Sequence, residues 1–182
     1  MGQWNTGYFG NDDATELLLR LKATASTESA WALELQQCFD RLDAFLARER
    51  DGLAYRPMTD AEVEICNQAL REAMKDLPEL LEQSLRKPGD DCTPIDVGDS
   101  EALTAGAAAA LVALGAGADF VKLPKNQKLP EDFVPDAALV RQARLATEVM
   151  VAHKRLPEFV GRAWLKKLAP LSAFLTAKES AN

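Results

Sequence analysis

The sequence predicts an all-α protein, a single-domain bundle of about seven to eight helices that spans residues 1–182. Three observations support this class. The seventeen residues 102–118 carry no charge, apolar residues elsewhere recur at helical intervals, and only 7% of the residues are aromatic, which favours helix over sheet. A chain of 182 residues is long enough for one domain with a sizeable core.

Residues 102–118 are the expected centre of the bundle. They are apolar or small all the way round, which is typical of a helix that other helices surround. Gly106, Ala109 and Ala113 are small enough to let neighbouring helices approach closely. The segment is shorter than a usual membrane span and is rich in Ala and Gly. We therefore expect a buried helix in a cytoplasmic protein that has no membrane partner.

The N-terminal segment, residues 1–11, combines several glycines with aromatic residues. Glycines disfavour a helix, and aromatic side chains favour burial, so an irregular segment pinned to the core by Trp4 and Phe9 is expected. The triplet of residues 11–13, Asn-Asp-Asp, supplies the acceptors and negative charge that suit a helix start. The first helix is predicted to run from there to about Ala23.

The next helices follow from apolar spacing and capping signals. A second helix is predicted from Trp31, Leu35, Cys38, Leu42 and Phe45, which recur at intervals of three or four residues, and it ends before Gly52. A capping box at residues 59–62 begins a third helix, and a shorter one covers about residues 77–85. Residues 87–100 are predicted to form a long loop, with Ser100 or Asp99 capping the central helix.

The last third of the chain is predicted to hold two or three helices after a second loop. Pro124, Pro130 and Pro135 argue against helix in residues 119–136. One apolar stripe then ends at His153, a second covers residues 159–168, and Pro170 separates a final short piece.

Charge divides the chain into two unequal parts. Residues 1–101 hold 21 Asp and Glu against 10 Lys and Arg, while residues 102–182 hold 7 against 11, which gives net charges of −11 and +4. The acidic total makes nucleic acid and anionic membranes unsuitable partners. The division is consistent either with two halves that attract each other or with an acidic docking face. The expected docking residues lie in the segment 88–101: Asp90, Asp91, Asp96, Asp99 and Glu101.

Catalytic and metal motifs are not evident in the sequence. The single histidine, His153, is followed by Lys154 and Arg155, which suits the C-terminus of a helix. The acidic segment 88–101 lacks the spacing of a calcium loop. The three cysteines show no C-x-x-C pair, and Cys38 and Cys66 lie on apolar stripes, so both are expected to be small core residues. We expect no catalytic residue, no metal and no cofactor.

The first fourteen residues resemble the opening of an uncharacterised bacterial family, a domain of unknown function whose members begin M-G-x-W-x-x-G-x-F-x-N-D-D-A. The matching residues are Gly2, Trp4, Gly7, Phe9, Asn11, Asp12, Asp13 and Ala14. Asn5 stands where glycine is common in that family. The Ala-rich segment near residues 105–114 is also similar. Some members look like immunity partners of bacterial polymorphic toxins, so the resemblance implies a small cytoplasmic binding protein.

Two functions from different classes follow. The leading hypothesis is a protein-binding module, an immunity protein that neutralises a toxin with a basic surface by direct binding. The alternative is a small helical hydrolase or metal-dependent enzyme that uses Asp12, Asp13 and His153.

Overall fold

The computed structural model describes residues 7–24, 28–50, 60–61, 64–65, 68, 94–125, 127–130, 133–154 and 156–181. Every regular element among these residues is a helix, which confirms the all-α class. The helices are α1 (Asp12–Thr24), α2 (Glu28–Arg50), α3 (Pro94–Gly115), α4 (Ala137–Ala152), α5 (Leu156–Val160) and α6 (Arg162–Ser180). The helix expected from residue 77 lies outside the described residues, so the count of seven to eight stays a prediction.

Helix α3 packs against each of the other five helices whose bounds are given above. Every residue from 102 to 113 is buried, on all sides of the helix. Close approach to α6 requires a residue without a side chain, because a methyl group on Gly106 would lie 2.5 Å from Cζ2 of Trp164 and 3.6 Å from Cδ2 of Leu168. The chain turns away after α3 at Gly117, whose φ of 95° favours glycine.

The expected start of α3 at residue 99 or 100 is wrong. The helix begins at Pro94, so residues 94–100 belong to it and not to a loop. Proline is favoured at the first helical position because the N–H that it lacks would have no partner there, and acidic residues in the first turns complement the helix dipole. Pro94 and Gly98 led to the prediction of a loop. Pro94 instead occupies the first position of the helix, and Asp96 and Asp99 lie in its first two turns.

The expected break at Pro170 is also wrong, because α6 continues through that residue. Pro170 is exposed, so water can satisfy the carbonyl that loses its partner. Leu168 and Leu171 are buried on either side and hold the helix against the core. The break falls instead at Gly161, where φ is 76°.

Helices α1 and α2 lie along α3 in opposite directions. Asp13 near the start of α1 and Arg41 in the second half of α2 both interact electrostatically with Glu101 of α3. At the other end, the rings of Trp31 and Phe133 lie 5.4 Å apart, and Phe133 packs against Gly115. Thus α1 runs parallel to α3, and α2 runs antiparallel to both.

Polar contacts attach the remaining segments to this arrangement. Phe9 is buried as expected, and the Tyr8 hydroxyl, which was not predicted to anchor the segment, donates to the carbonyl of Lys167 at 2.8 Å. Trp4 lies outside the described residues. Helices α4 and α6 are joined by an ion pair between Arg144 and Glu179. None of the described helices has the length and apolar character needed to cross a membrane.

Candidate functional site at the Glu101 end of α1, α2 and α3

The start of α1 is fixed by Asn11. Its side chain is fully buried, and its Oδ1 accepts a hydrogen bond from the Ala14 backbone N–H at 2.8 Å, which confirms the expected capping role. The Asn11 amide nitrogen is buried and has no hydrogen-bond partner in the described part of the chain. A polar group thus enters the interface between helices at this end.

Glu101 projects from α3 into the same interface. One of its carboxylate oxygens, Oε2, is buried and finds no hydrogen-bond partner among the described residues. Burial raises the pKa of Glu101, Arg41 and Arg20 oppose that rise, and Asp13 adds to it. A half-buried carboxyl therefore faces both cations and a second carboxylate.

Helix α2 contributes Arg41, a thiol, and Glu34, the ion-pair partner of Arg20. Arg20 of α1 forms an ion pair with Glu34 of α2, whose side chain is only 13% exposed. Cys38 is fully buried, and burial raises its thiol pKa to about 11. The thiol is therefore protonated at neutral pH and is a poor nucleophile. The expected placement of Cys38 in the core is confirmed, and Cys66 lies outside the described residues.

Two exposed carboxylates of α2 lie at this end of the bundle, one of them beside α4. Asp40 and Asp43 are exposed, and burial and the charge of Asp40 both raise the pKa of Asp43. Asp40 accepts hydrogen bonds from Gln36 Nε2 at 3.1 Å and from Gln142 Nε2 at 3.2 Å. These amides carry no charge, so they satisfy the carboxylate without neutralising it. We call Asp40 and Asp43 the α2 carboxylate pair.

The predicted docking residues do not form one loop. Asp90 and Asp91 lie outside the described residues. Asp96 and Asp99 lie in the first two turns of α3, at the end of the bundle where the second half of α2 runs. Glu101 follows them in the helix but is partly buried between α1 and α2, so its expected place on an open docking loop is wrong: the helix that begins at Pro94 turns it inward.

The α2 carboxylate pair was not predicted from the sequence, because the strongest pattern in α2 is its apolar stripe. The signal was present in the sequence: Asp40 and Asp43 are three residues apart, a spacing that places two side chains on the same face of a helix. The antiparallel packing of α2 and α3 brings them to the same end of the bundle as the start of α3.

The residues of the alternative hydrolase come from two helices, and the alternative stays a prediction. His153 caps the C-terminal end of α4, and its Nδ1 accepts a hydrogen bond from the Leu156 backbone N–H at 3.1 Å. Helices α1, which carries Asp12 and Asp13, and α4 are not among the helix pairs that pack extensively. The described residues contain no group of three His, Cys, Asp or Glu side chains that could hold a metal ion.

No known protein family, curated protein or solved structure matches the chain. The resemblance of residues 1–14 to the family with the N-D-D-A signature therefore stays a prediction. Chemically, the site combines an exposed carboxylate pair, two further aspartates at a helix start, and a buried polar interface beneath them. This arrangement suits electrostatic recognition of a cationic surface.

Proposed function

We propose that this chain is a protein-binding module, an immunity protein that neutralises a bacterial toxin by direct binding. The observation that carries the proposal is the α2 carboxylate pair: Asp40 and Asp43 are both exposed on one face of α2, and burial together with the charge of Asp40 raises the pKa of Asp43. Two carboxylates that repel each other on a surface gain when a cationic partner approaches.

The docking surface in this proposal consists of the α2 carboxylate pair and the first turns of α3. Asp96 and Asp99 belong to those turns, and Asp90 and Asp91 precede them in the sequence. A partner with a basic active site is the chemistry that such a surface would recognise, since complementary charges speed encounter and set orientation.

Three further features complete the proposal. The chain is a single cytoplasmic domain of seven to eight helices, with the Ala-rich segment of α3 at its centre. The resemblance of residues 1–14 to a family with immunity-like members supports the choice of a toxin as the partner. The burial of residues 102–113 supports the central place of α3.

The test is coexpression with the product of the neighbouring gene. We expect that product to slow growth when expressed alone, to lose this effect in the presence of the chain, and to form a stable complex with it. If the neighbouring product is neither bound nor neutralised, the proposal is wrong.

A matched pair of single substitutions then tests the surface. Asp43→Asn removes one exposed charge from the α2 carboxylate pair, and Asp119→Asn removes one exposed charge beyond the opposite end of α3. We expect Asp43→Asn to slow association with the toxin several-fold at low ionic strength and to leave the unfolding transition nearly unchanged. Equal association rates for the two variants would exclude the pair from the interface.

A further inference from the structure

A pocket of about 350 Å³ lies at the opposite end of the same three helices. It is formed by residues of α1, α2 and the connection between α3 and α4. The lining residues are Leu18, Lys22, Trp31, Gln127, Lys128, Leu129 and Pro130. Its volume falls at the lower end of the range of small-molecule sites, roughly 300–1,000 Å³. A compact ligand therefore fits this space better than a protein segment does.

The pocket has an apolar wall that includes Trp31, Leu18 and Leu129. The Trp31 side chain is 3% exposed, and its ring is held in place by Phe133, 5.4 Å away between centroids. An apolar group can therefore pack against this wall.

Two lysine side chains lie at the edge of the pocket. Lys22 comes from the last turn of α1, and Lys128 comes from the connection after α3; both side chains are exposed. Neither ammonium group has an ion-pair partner among the residues that the structure describes. The charged groups that line this pocket are thus both positive.

We infer that this pocket binds a small apolar molecule that carries one anionic group. The apolar body packs between Leu18, Leu129 and the Trp31 ring, and the anionic group lies between Lys22 and Lys128. The site is independent of the proposed toxin interface, because it lies at the other end of α1 and α2.

Two dyes that differ in one group test this inference on the full chain. 8-Anilino-1-naphthalenesulfonate is an apolar anion, and N-phenyl-1-naphthylamine has the same rings without the sulfonate. We expect the anionic dye to bind one site per chain, with enhanced fluorescence, and to bind more tightly than the neutral dye. Weak or unsaturable binding of the anionic dye would overturn the inference.

Substitutions locate the binding. The double variant Lys22→Gln, Lys128→Gln is expected to weaken binding of the anionic dye roughly tenfold and to leave the neutral dye unaffected. The control is Lys122→Gln, Lys125→Gln, which removes two exposed lysines of the same connection that do not line the pocket. Equal weakening by both double variants would contradict the site.

Discussion

The two ends of the layer formed by α1, α2 and α3 differ in chemistry although the same helices build both. At one end, Glu101 and Asn11 bring polar groups into the interface, and Asp40 and Asp43 lie outside it. At the other end, Trp31 closes an apolar pocket edged by Lys22 and Lys128. Between them, α3 is buried on every side from residue 102 to residue 113.

This difference distinguishes the residues that maintain the fold, in the middle of α3, from the residues at the two ends that are available to bind a ligand or partner. The Ala-rich middle of α3 packs closely and carries no charge, so it stabilises the bundle without selecting a ligand. The ends carry opposite charges and incompletely satisfied polar groups. Substitutions in the middle should therefore affect both ends together, and substitutions at one end should leave the other unchanged.

The largest expected effect is the protection of the Cys38 thiol, at the Glu101 end, from alkylation. In a variant with Cys66→Ser and Cys92→Ser, Cys38 is the one remaining thiol. Its pKa rises from 9.0 to about 11, which by itself lowers the thiolate fraction at neutral pH roughly a hundredfold. We expect alkylation by iodoacetamide to be slower by at least that factor in buffer than in denaturant. Similar rates would show that this end of the interface is open.

The next largest effect is the loss of stability expected when a larger side chain is placed in the buried middle of α3. Ala109 is fully buried, and Ala109→Leu adds volume where no space exists, so we expect a loss of roughly 1–3 kcal/mol in the free energy of unfolding. Ala152→Leu, at an exposed position of α4, is the control and should stay within about 0.5 kcal/mol of the parent. Urea denaturation measures both. An unchanged midpoint for Ala109→Leu would contradict the central place of α3.

The contact between Gly106 and Trp164 offers a narrower test of the same middle. Gly106→Ala places a methyl group against the six-membered part of the indole, and we expect a loss of about 1–3 kcal/mol from overpacking. Trp164→Phe removes the two ring carbons that the methyl group meets. In a double-mutant cycle, the double variant should therefore be more stable than the sum of the single changes implies. Strict additivity would mean that the two residues are not in contact.

Much of this fold was predictable from local signals, and the errors have physical causes. The stripe from Trp31 to Leu42 and the cap at Asn11 depend on residues within one or two turns, so periodicity found them. The start of α3 was placed late because Pro94 and Gly98 favour loops in general, although proline is favoured at a first helical position. The clustering of side chains at the two ends was not predictable from the sequence. Residues 13, 41 and 101, for example, are brought together only by the relative directions of α1, α2 and α3.

A smaller effect is expected on the pH dependence of stability, through the titration of Glu101. Its pKa is raised above the ordinary value of 4.5, so the folded state binds a proton more tightly than the unfolded chain does. The resulting stabilisation is fully present below pH 4.5 and is lost as the pH rises through the raised value. Glu101→Gln should therefore melt at a higher temperature than the parent at pH 7 and show little difference below pH 4.5. A lower melting temperature at pH 7 would mean that the ionised carboxylate stabilises the interface.

The central claim is that the carboxylate end binds the protein partner and the lysine end does not. The most direct measurement is the association rate constant with the proposed toxin partner, the product of the neighbouring gene, determined by stopped-flow fluorescence over a range of ionic strength. The triple variant Asp90→Asn, Asp91→Asn, Asp96→Asn and the single variant Asp43→Asn should associate more slowly and with a weaker salt dependence than the parent. The Lys22→Gln, Lys128→Gln variant should match the parent or exceed it slightly. Slower association in the lysine variant, with parental rates in both aspartate variants, would contradict the account.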